Sequence, residues 1–265
     1  MMTFVHSAHK RNSALLSTFM AESGSTLFLE PTMPLGDAEW QFTEGVADGG
    51  LLSPLAYGKR EGEVVLLPGA CLAAYAGTGD IRLLFRGGLK SFATLGHYHE
   101  PDLELMLAQV LLKEKYGMEP RLLRVKGEVA EVMPAVDALL LGTRDADRAV
   151  HGYDGLDMID EWFDMTQLPF VREVFMAWEH RVDPAVVTAV GRAGEILDEQ
   201  ALREVEKLLQ QHDEGPLLSA MPAHYRYRLD DDAMEGLRQF FQFAFYHGLH
   251  RDIPDFRVWE SEAEG

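Results

Sequence analysis

The sequence predicts an α/β fold built around parallel sheet, and three observations carry that reading. Runs of β-forming residues alternate with helix-length segments along the chain. The first thirty residues read strand, helix, strand, and GGLLS at residues 49–53 is a brief apolar run suited to a buried parallel strand. A length of 265 residues with 47% hydrophobic content allows one large domain or two smaller ones, each with a core of its own.

Taken in order, TFVHS at residues 3–7 is a strand, Asn12 to Met20 a helix, and STLFLE at residues 25–30 a second strand. Pro34, with its fixed φ, starts a helix that runs to Glu44. Glu63 to Leu67 and Ile81 to Phe85 are further strands, with the Gly-rich stretch from Gly69 to Gly79 between them. Leu103, Met106, Leu107, Val110 and Leu111 keep the spacing of a helix buried on one face. Arg121 to Val125 and Asp137 to Leu141 read as strands, and residues 157–165, 169–180, 183–195, 199–211 and 231–247 as helices. Leu237, Phe240, Phe241, Ala244 and Phe245 form one stripe on the last of these, and Gly248 is its C-terminal cap.

Charge and composition narrow the function. With 24 Lys and Arg against 43 Asp and Glu the formal charge is −19, which repels nucleic-acid backbones and anionic membranes, so neither is an expected partner. Any anionic ligand has to be held by local dipoles or a few placed cations. Cys71 is the only cysteine, which leaves no intrachain disulfide and no cysteine zinc cluster; no metal site is expected. MMTFVHSAHKRNSALLSTF lacks the apolar core of an export signal, and the expected location is the cytoplasm. The chain carries neither a G-x-G-x-x-G pattern after a strand nor a P-loop, so no nucleotide cofactor is expected, and none of any kind is assigned.

DMIDEWFDMTQLPFVREVFMAW, Asp157 to Trp178, resembles the signature of the chorismate dehydratase family of menaquinone biosynthesis: an Asp, a Glu-Trp pair, and a Thr-Gly-Leu-Pro-Phe-Val run before another Trp. Supporting matches fall in family order at RNSALL, LLSPLAY, GGLKSFATL, LLKEKYG and DALLLG, with GLRQFFQFAFYHGL near the end, and together they cover most of the chain. The resemblance implies a two-lobed class II periplasmic-binding-protein-like α/β fold with a ligand cleft between the lobes. It places lobe 1 at residues 1–90 plus 178–265 and lobe 2 at 91–177. Trp162, Pro169, Phe170 and Trp178 belong to the signature but are assigned to architecture, because aromatic sets of this kind pack cores.

The chain departs from the family in places. Where the family carries a Ser-Thr-Ser run at the start of the helix entering the second lobe, this sequence has Asp102, Leu103 and Glu104. Leu15 stands for a Pro, Gln167 for a Gly and Thr143 for an Asp. Two carboxylates at a helix N-terminus complement its dipole and repel a dianion unless His97 and His99 supply compensating charge.

The resemblance makes Asn12, Ser91 and His97 the catalytic candidates. Asn12 and Ser91 would orient the substrate, with His97 or His99 as a base, since imidazole titrates near neutrality. Asn12, Ser53 and Ser91 each follow a strand-like run, where open α/β sheets place ligand-binding groups; each also suits a plain helix or turn cap. Ser53, Pro54, His99, Asp102, Glu104 and Thr143 are the remaining ligand-contact candidates. His247 and His250 read as surface histidines at a helix end. The implied activity is a hydro-lyase that removes water from chorismate in the futalosine route to menaquinone. The alternatives are the sister branch, 1,4-dihydroxy-6-naphthoate synthase, and a non-catalytic cytoplasmic binding protein of the same fold. The partner is a small molecule, a carboxylate in the leading reading, and the protein is a monomer or homodimer.

Overall fold

The structure is a computed structural model that describes residues 1–6, 12–24, 27–29, 34–75, 78–86, 92–145, 147–211 and 225–260. The chain divides into two compact units. Unit 1 holds Met1–Ala74, Pro169–Arg238 and Pro254–Gly265, and unit 2 holds Tyr75–Leu168 and Gln239–Ile253. These divisions fall earlier in the chain than the crossings expected near residues 90 and 178. They coincide with the end of one long strand of unit 1 at Ala74 and the start of another at Phe170.

Unit 1 is built on a six-stranded sheet in the order β2-β1-β3-β10-β4-β11, formed by β1 (Met2–His6), β2 (Leu27–Leu29), β3 (Gly49–Leu52), β4 (Val64–Ala74), β10 (Phe170–Trp178) and β11 (Tyr225–Arg226). β1 runs parallel to both β2 and β3, and β10 returns antiparallel between β3 and β4. The segment expected as a helix at 169–180 is therefore the central strand. All nine residues of β10 are buried, and a strand covered on both faces loses the polar-apolar alternation that marks strands in sequence. Helix α1 (Asn12–Ser23) lays Leu15, Leu16 and Phe19 against this sheet, with the Phe19 ring 4.9 Å from Phe175 and 5.6 Å from Phe4. Helices α2 (Leu35–Thr43) and α3 (Pro54–Gly58) follow β2 and β3, and α3 has no counterpart among the sequence expectations.

The Gly-rich stretch is a second difference. Residues 69–74 continue β4, and the pairing with β10 slips around Pro68 and Gly69 as it does at a bulge. Gly69 has φ +97°, and a Cβ there would lie 2.5 Å from the Cα of Gly191. A Cβ on Gly194 would lie 2.3 Å from the Gly69 carbonyl. This close approach seats α7 (Pro184–Gln211) on β4; it is one continuous helix where residues 183–195 and 199–211 were expected as two.

Unit 2 repeats the winding. Its sheet has the order β7-β6-β8-β5-β9, from β5 (Arg82–Phe85), β6 (Thr94–His97), β7 (Arg121–Arg124), β8 (Ala138–Leu141) and β9 (Asp154–Asp157), with β6 parallel to β7 and β8 and β5 antiparallel to β8 and β9. Strands β6 and β9 are too short and mixed to register in sequence. Asp137 pins the start of β6 beside β8, accepting from the backbone N–H of Ala93 and Thr94, each at 3.0 Å, and from the Thr94 hydroxyl at 2.9 Å. Helix α4 (Leu103–Glu114) buries Leu103, Leu107, Val110 and Leu111 as its spacing predicts, leaves Met106 of the same stripe half-buried, and buries Leu105, Ala108 and Leu112 as well. The short α5 (Val129–Val132) caps a second cluster with Met133, Val136 and Leu139. In α6 (Met158–Thr166) the indole of Trp162 meets Phe240 and Phe243 of α8 (Asp231–Tyr246) edge-on, which supports its architectural assignment. Gln167 closes α6 at φ 59°, a conformation that costs a non-glycine residue about 1 kcal/mol and explains why a glycine suits the position. Its amide nitrogen compensates by donating to the Phe163 carbonyl at 3.0 Å.

Gly69→Ala is expected to lower unfolding stability by about 3 kcal/mol, since it combines a forbidden φ with a backbone clash. Gly36→Ala, with open space around it, is expected to raise stability by about 0.5 kcal/mol. Denaturant unfolding of the two variants beside the parent chain tests the pair.

Candidate functional site

Parallel strands point their carboxyl ends, and the loops that follow, at one edge of a sheet, which is where open α/β folds bind ligands. In unit 2 that edge is made by β6, ending at His97, and by β8, ending at Leu141. The loop after β6 carries Tyr98, His99, Glu100 and Asp102 into α4, and the segment after β8 carries Gly142, Thr143, Arg144, Asp145, Asp147 and Arg148. Five of the candidates lie at this edge: His97 ends β6, His99 and Asp102 follow it, Glu104 stands in the first turn of α4, and Thr143 follows β8.

Their polar groups are engaged with one another. The buried His97 ring holds its Nδ1 2.8 Å from the His99 carbonyl. A carbonyl only accepts, so Nδ1 carries the proton and Nε2 is the basic atom of the neutral ring. His99 Nε2 donates to Asp145 Oδ1 at 3.1 Å. Asp145, 2% exposed, also accepts from Arg148 Nε at 2.8 Å and from the Gly142 N–H at 3.1 Å. The Arg148 guanidinium in turn lies 3.6 Å from the centroid of the Tyr98 ring, and burial pushes the Tyr98 phenol up from its ordinary pKa.

The two carboxylates at the helix start follow the same pattern. Asp102 is the N-cap of α4: its Oδ1 accepts from the Leu105 N–H at 3.0 Å, and its Oδ2 pairs with Arg144. Glu104 reaches back to the β8 loop, where Oε2 accepts the Thr143 N–H at 3.0 Å and Oε1 accepts the Thr143 hydroxyl. A Cβ on Gly142 would lie 2.0 Å from Glu104 Oε2, so only glycine leaves room for the carboxylate at this spot. The cavity among these residues has a volume of about 20 Å³, the space of a single water molecule.

In unit 1, Ser53 and Pro54 sit at the matching place after β3. Ser53 caps α3, accepting the Leu55 N–H at 3.3 Å, and Pro54 is its first helical residue. Asn12 begins α1, but its side chain lies outside the described residues, as does the whole of Ser91. A larger cleft of about 920 Å³ in unit 1, lined by Glu179, His180, Arg257 and Trp259 among others, contains none of the candidates. His247 and His250 flank Gly248, whose φ of +66° ends α8 as expected. They are half-buried rather than free on the surface, with His247 Nε2 2.6 Å from Glu114 and His250 Nδ1 2.7 Å from the Asp252 carbonyl.

Sequence reasoning missed Asp145, Arg144 and Arg148, which hold the site's donors and acceptors together. The signal was the charged run TRDADR directly after the apolar DALLLG, at the carboxyl end of a strand. Asp157, which opens the family signature, accepts N–H bonds from Gly79 at 2.6 Å and Ile159 at 2.8 Å, and burial holds its carboxyl above the usual range.

Residues 39–246 match a family model described as menaquinone biosynthesis. The chain belongs to this menaquinone-biosynthesis family. No curated protein matches it. Among solved structures, the aliphatic sulphonate binding protein SsuA from Escherichia coli matches with a TM-score of 0.66 at 12% identity, over 100% of this chain and 94% of that one. Protein AF1704 from Archaeoglobus fulgidus matches with a TM-score of 0.60 at 15% identity, over 94% of this chain and 98% of that one. The ligand-binding component of an ABC-type import system from Staphylococcus aureus matches with a TM-score of 0.58 at 12% identity, over 98% and 96%. At these identities the likeness shows the fold, and it supports the two-lobed periplasmic-binding-protein-like class. Among the described residues of the family member, no helix is long and apolar enough to cross a membrane.

Asp145→Ala leaves His99, Arg148 and the Gly142 N–H without their shared acceptor. The variant is expected to unfold with about 3 kcal/mol less stability, measured by denaturant titration, while Asp147→Ala at the exposed neighbour stays within about 0.5 kcal/mol.

Proposed function

We propose that the protein is a cofactor-free hydro-lyase of menaquinone biosynthesis that removes water from chorismate to give an enolpyruvyl-substituted benzoate. Family membership and the Asp157–Trp178 signature support this reading, and the observation that carries it is His97. Its Nδ1 proton is committed to the His99 carbonyl at the carboxyl edge of β6, which leaves Nε2 to act as base. The ring C–H bond breaks as Nε2 takes its proton, the electron pair moves into the ring, and the C–O bond breaks as hydroxide leaves and receives that proton back from Nε2 to form water. Aromatisation supplies the driving force, so the protein has only to position the ring and manage one proton. Asn12 and Ser91 would orient the substrate, with Ser53, Pro54 and Thr143 as further contacts. Two structural neighbours are named as binding proteins, SsuA for aliphatic sulphonates and the Staphylococcus aureus protein as a ligand-binding component, in keeping with a small-molecule ligand here.

A second reading is favoured by one observation: the Thr143 donors and Arg144 are met by carboxylates of the chain itself. A less anionic ligand suits such a site, either the cyclic nucleoside-derived substrate of 1,4-dihydroxy-6-naphthoate synthase or a ligand bound without chemistry.

Incubation of the purified protein with chorismate, followed by chromatography with mass detection, separates the two. Benzoate product that falls at least a hundredfold in rate in His97→Gln is the expected result. Intact chorismate, with no shift in melting temperature on its addition, overturns the dehydratase reading in favour of the second.

A further inference from the structure

We propose that the N–H and hydroxyl of Thr143 form a seat for a ligand carboxylate, and that Glu104 fills this seat as an internal competitor. The inference rests on the reading above only in taking the ligand to carry a carboxylate. Both oxygens of Glu104 are used, one on the Thr143 N–H at 3.0 Å and the other on its hydroxyl, which is the two-point geometry by which a free carboxylate is recognised. The seat lies directly after β8, at the sheet edge where this class of fold meets its ligands. Gly142 beneath it has no Cβ, and the carboxylate occupies the space a Cβ would need.

The same competitor is stabilised from its own side. Glu104 stands in the first turn of α4, where the helix dipole favours negative charge, and the Asp102 cap fixes the direction of that turn. Asp145 holds the start of this segment by the Gly142 N–H and draws in His99 and Arg148, so the Thr143 donors are presented beside a backbone tied at Gly142. With Glu104 seated, the space among His97, His99, Asp102 and Asp145 is about 20 Å³, too small for anything beyond one water. A ligand carboxylate has to displace Glu104, and its apparent affinity falls by the fraction of time the seat stands open. Glu104 therefore tunes affinity for carboxylates in this chain.

The test uses benzoate as probe, titrated at millimolar concentration into the isotope-labelled full chain, with the Thr143 amide followed by NMR. Glu104→Ala is expected to bind benzoate at least tenfold more tightly than the parent chain. Glu104→Gln, whose amide still reaches Thr143, is expected to show a smaller gain. Thr143→Val placed in the Glu104→Ala background removes the hydroxyl and is expected to reverse most of the gain. If Glu104→Ala loses its fold, the Glu104→Gln comparison alone decides. A folded variant whose Thr143 amide shifts no more readily than the parent's overturns the proposal. Tighter benzoate binding without chorismate turnover in either protein retains the seat and discards the dehydratase reading. Turnover without any gain in Glu104→Ala does the reverse.

Discussion

A buried carboxylate must be met by donors, and Asp145 is met by three: the Gly142 N–H, His99 Nε2 and Arg148 Nε. That one side chain ties the loop after β8 to the loop after β6 and so fixes the carboxyl edge of unit 2. The neighbouring acids repeat the device at lower burial. Asp102 caps α4 and holds Arg144, and Glu104 holds Thr143. The edge that parallel strands leave rich in unmet donors is here closed by the chain's own acids, in a protein of formal charge −19. His97 is the exception in kind, because its hydrogen bond to the His99 carbonyl commits a donor and leaves a basic nitrogen.

The outline of the fold was legible where periodicity is strong. The buried stripe of α4 and the strand-helix-strand opening both appear where the spacing puts them. Legibility failed where burial is complete. FVREVFMAW reads as helical because its aromatic and aliphatic residues follow no alternation, yet β10 has none to follow, being covered on both faces between β3 and β4. Gly69 failed for a different reason: glycine marks turns in sequence, whereas here it marks the close approach of α7 to a bulged strand. Gln167 shows the reverse, a left-handed cap that composition hides and only the family's glycine reveals.

The candidate site was legible in part. The residues of the loop after β6 stood out as a chemically loaded cluster, and the bland reading of Asp102 and Glu104 as an acidic first turn describes one half of what they do. The other half lies across the sheet edge, since Thr143, Arg144 and Asp145 are some forty residues away in sequence and next to them only because β8 pairs with β6. No spacing rule within one segment links those positions. Family membership over residues 39–246 sets the biosynthetic context.

The Thr143 and Gly142 amides are held by the carboxylates of Glu104 and Asp145, and native-state hydrogen exchange at those two amides reads that arrangement site by site. Protection well above the exchange rate of the same residues in an unstructured peptide, with Thr143 protection lost in Glu104→Ala and Gly142 protection retained, is what this arrangement predicts. Exchange of Thr143 at the rate of an open loop in the parent chain would contradict it.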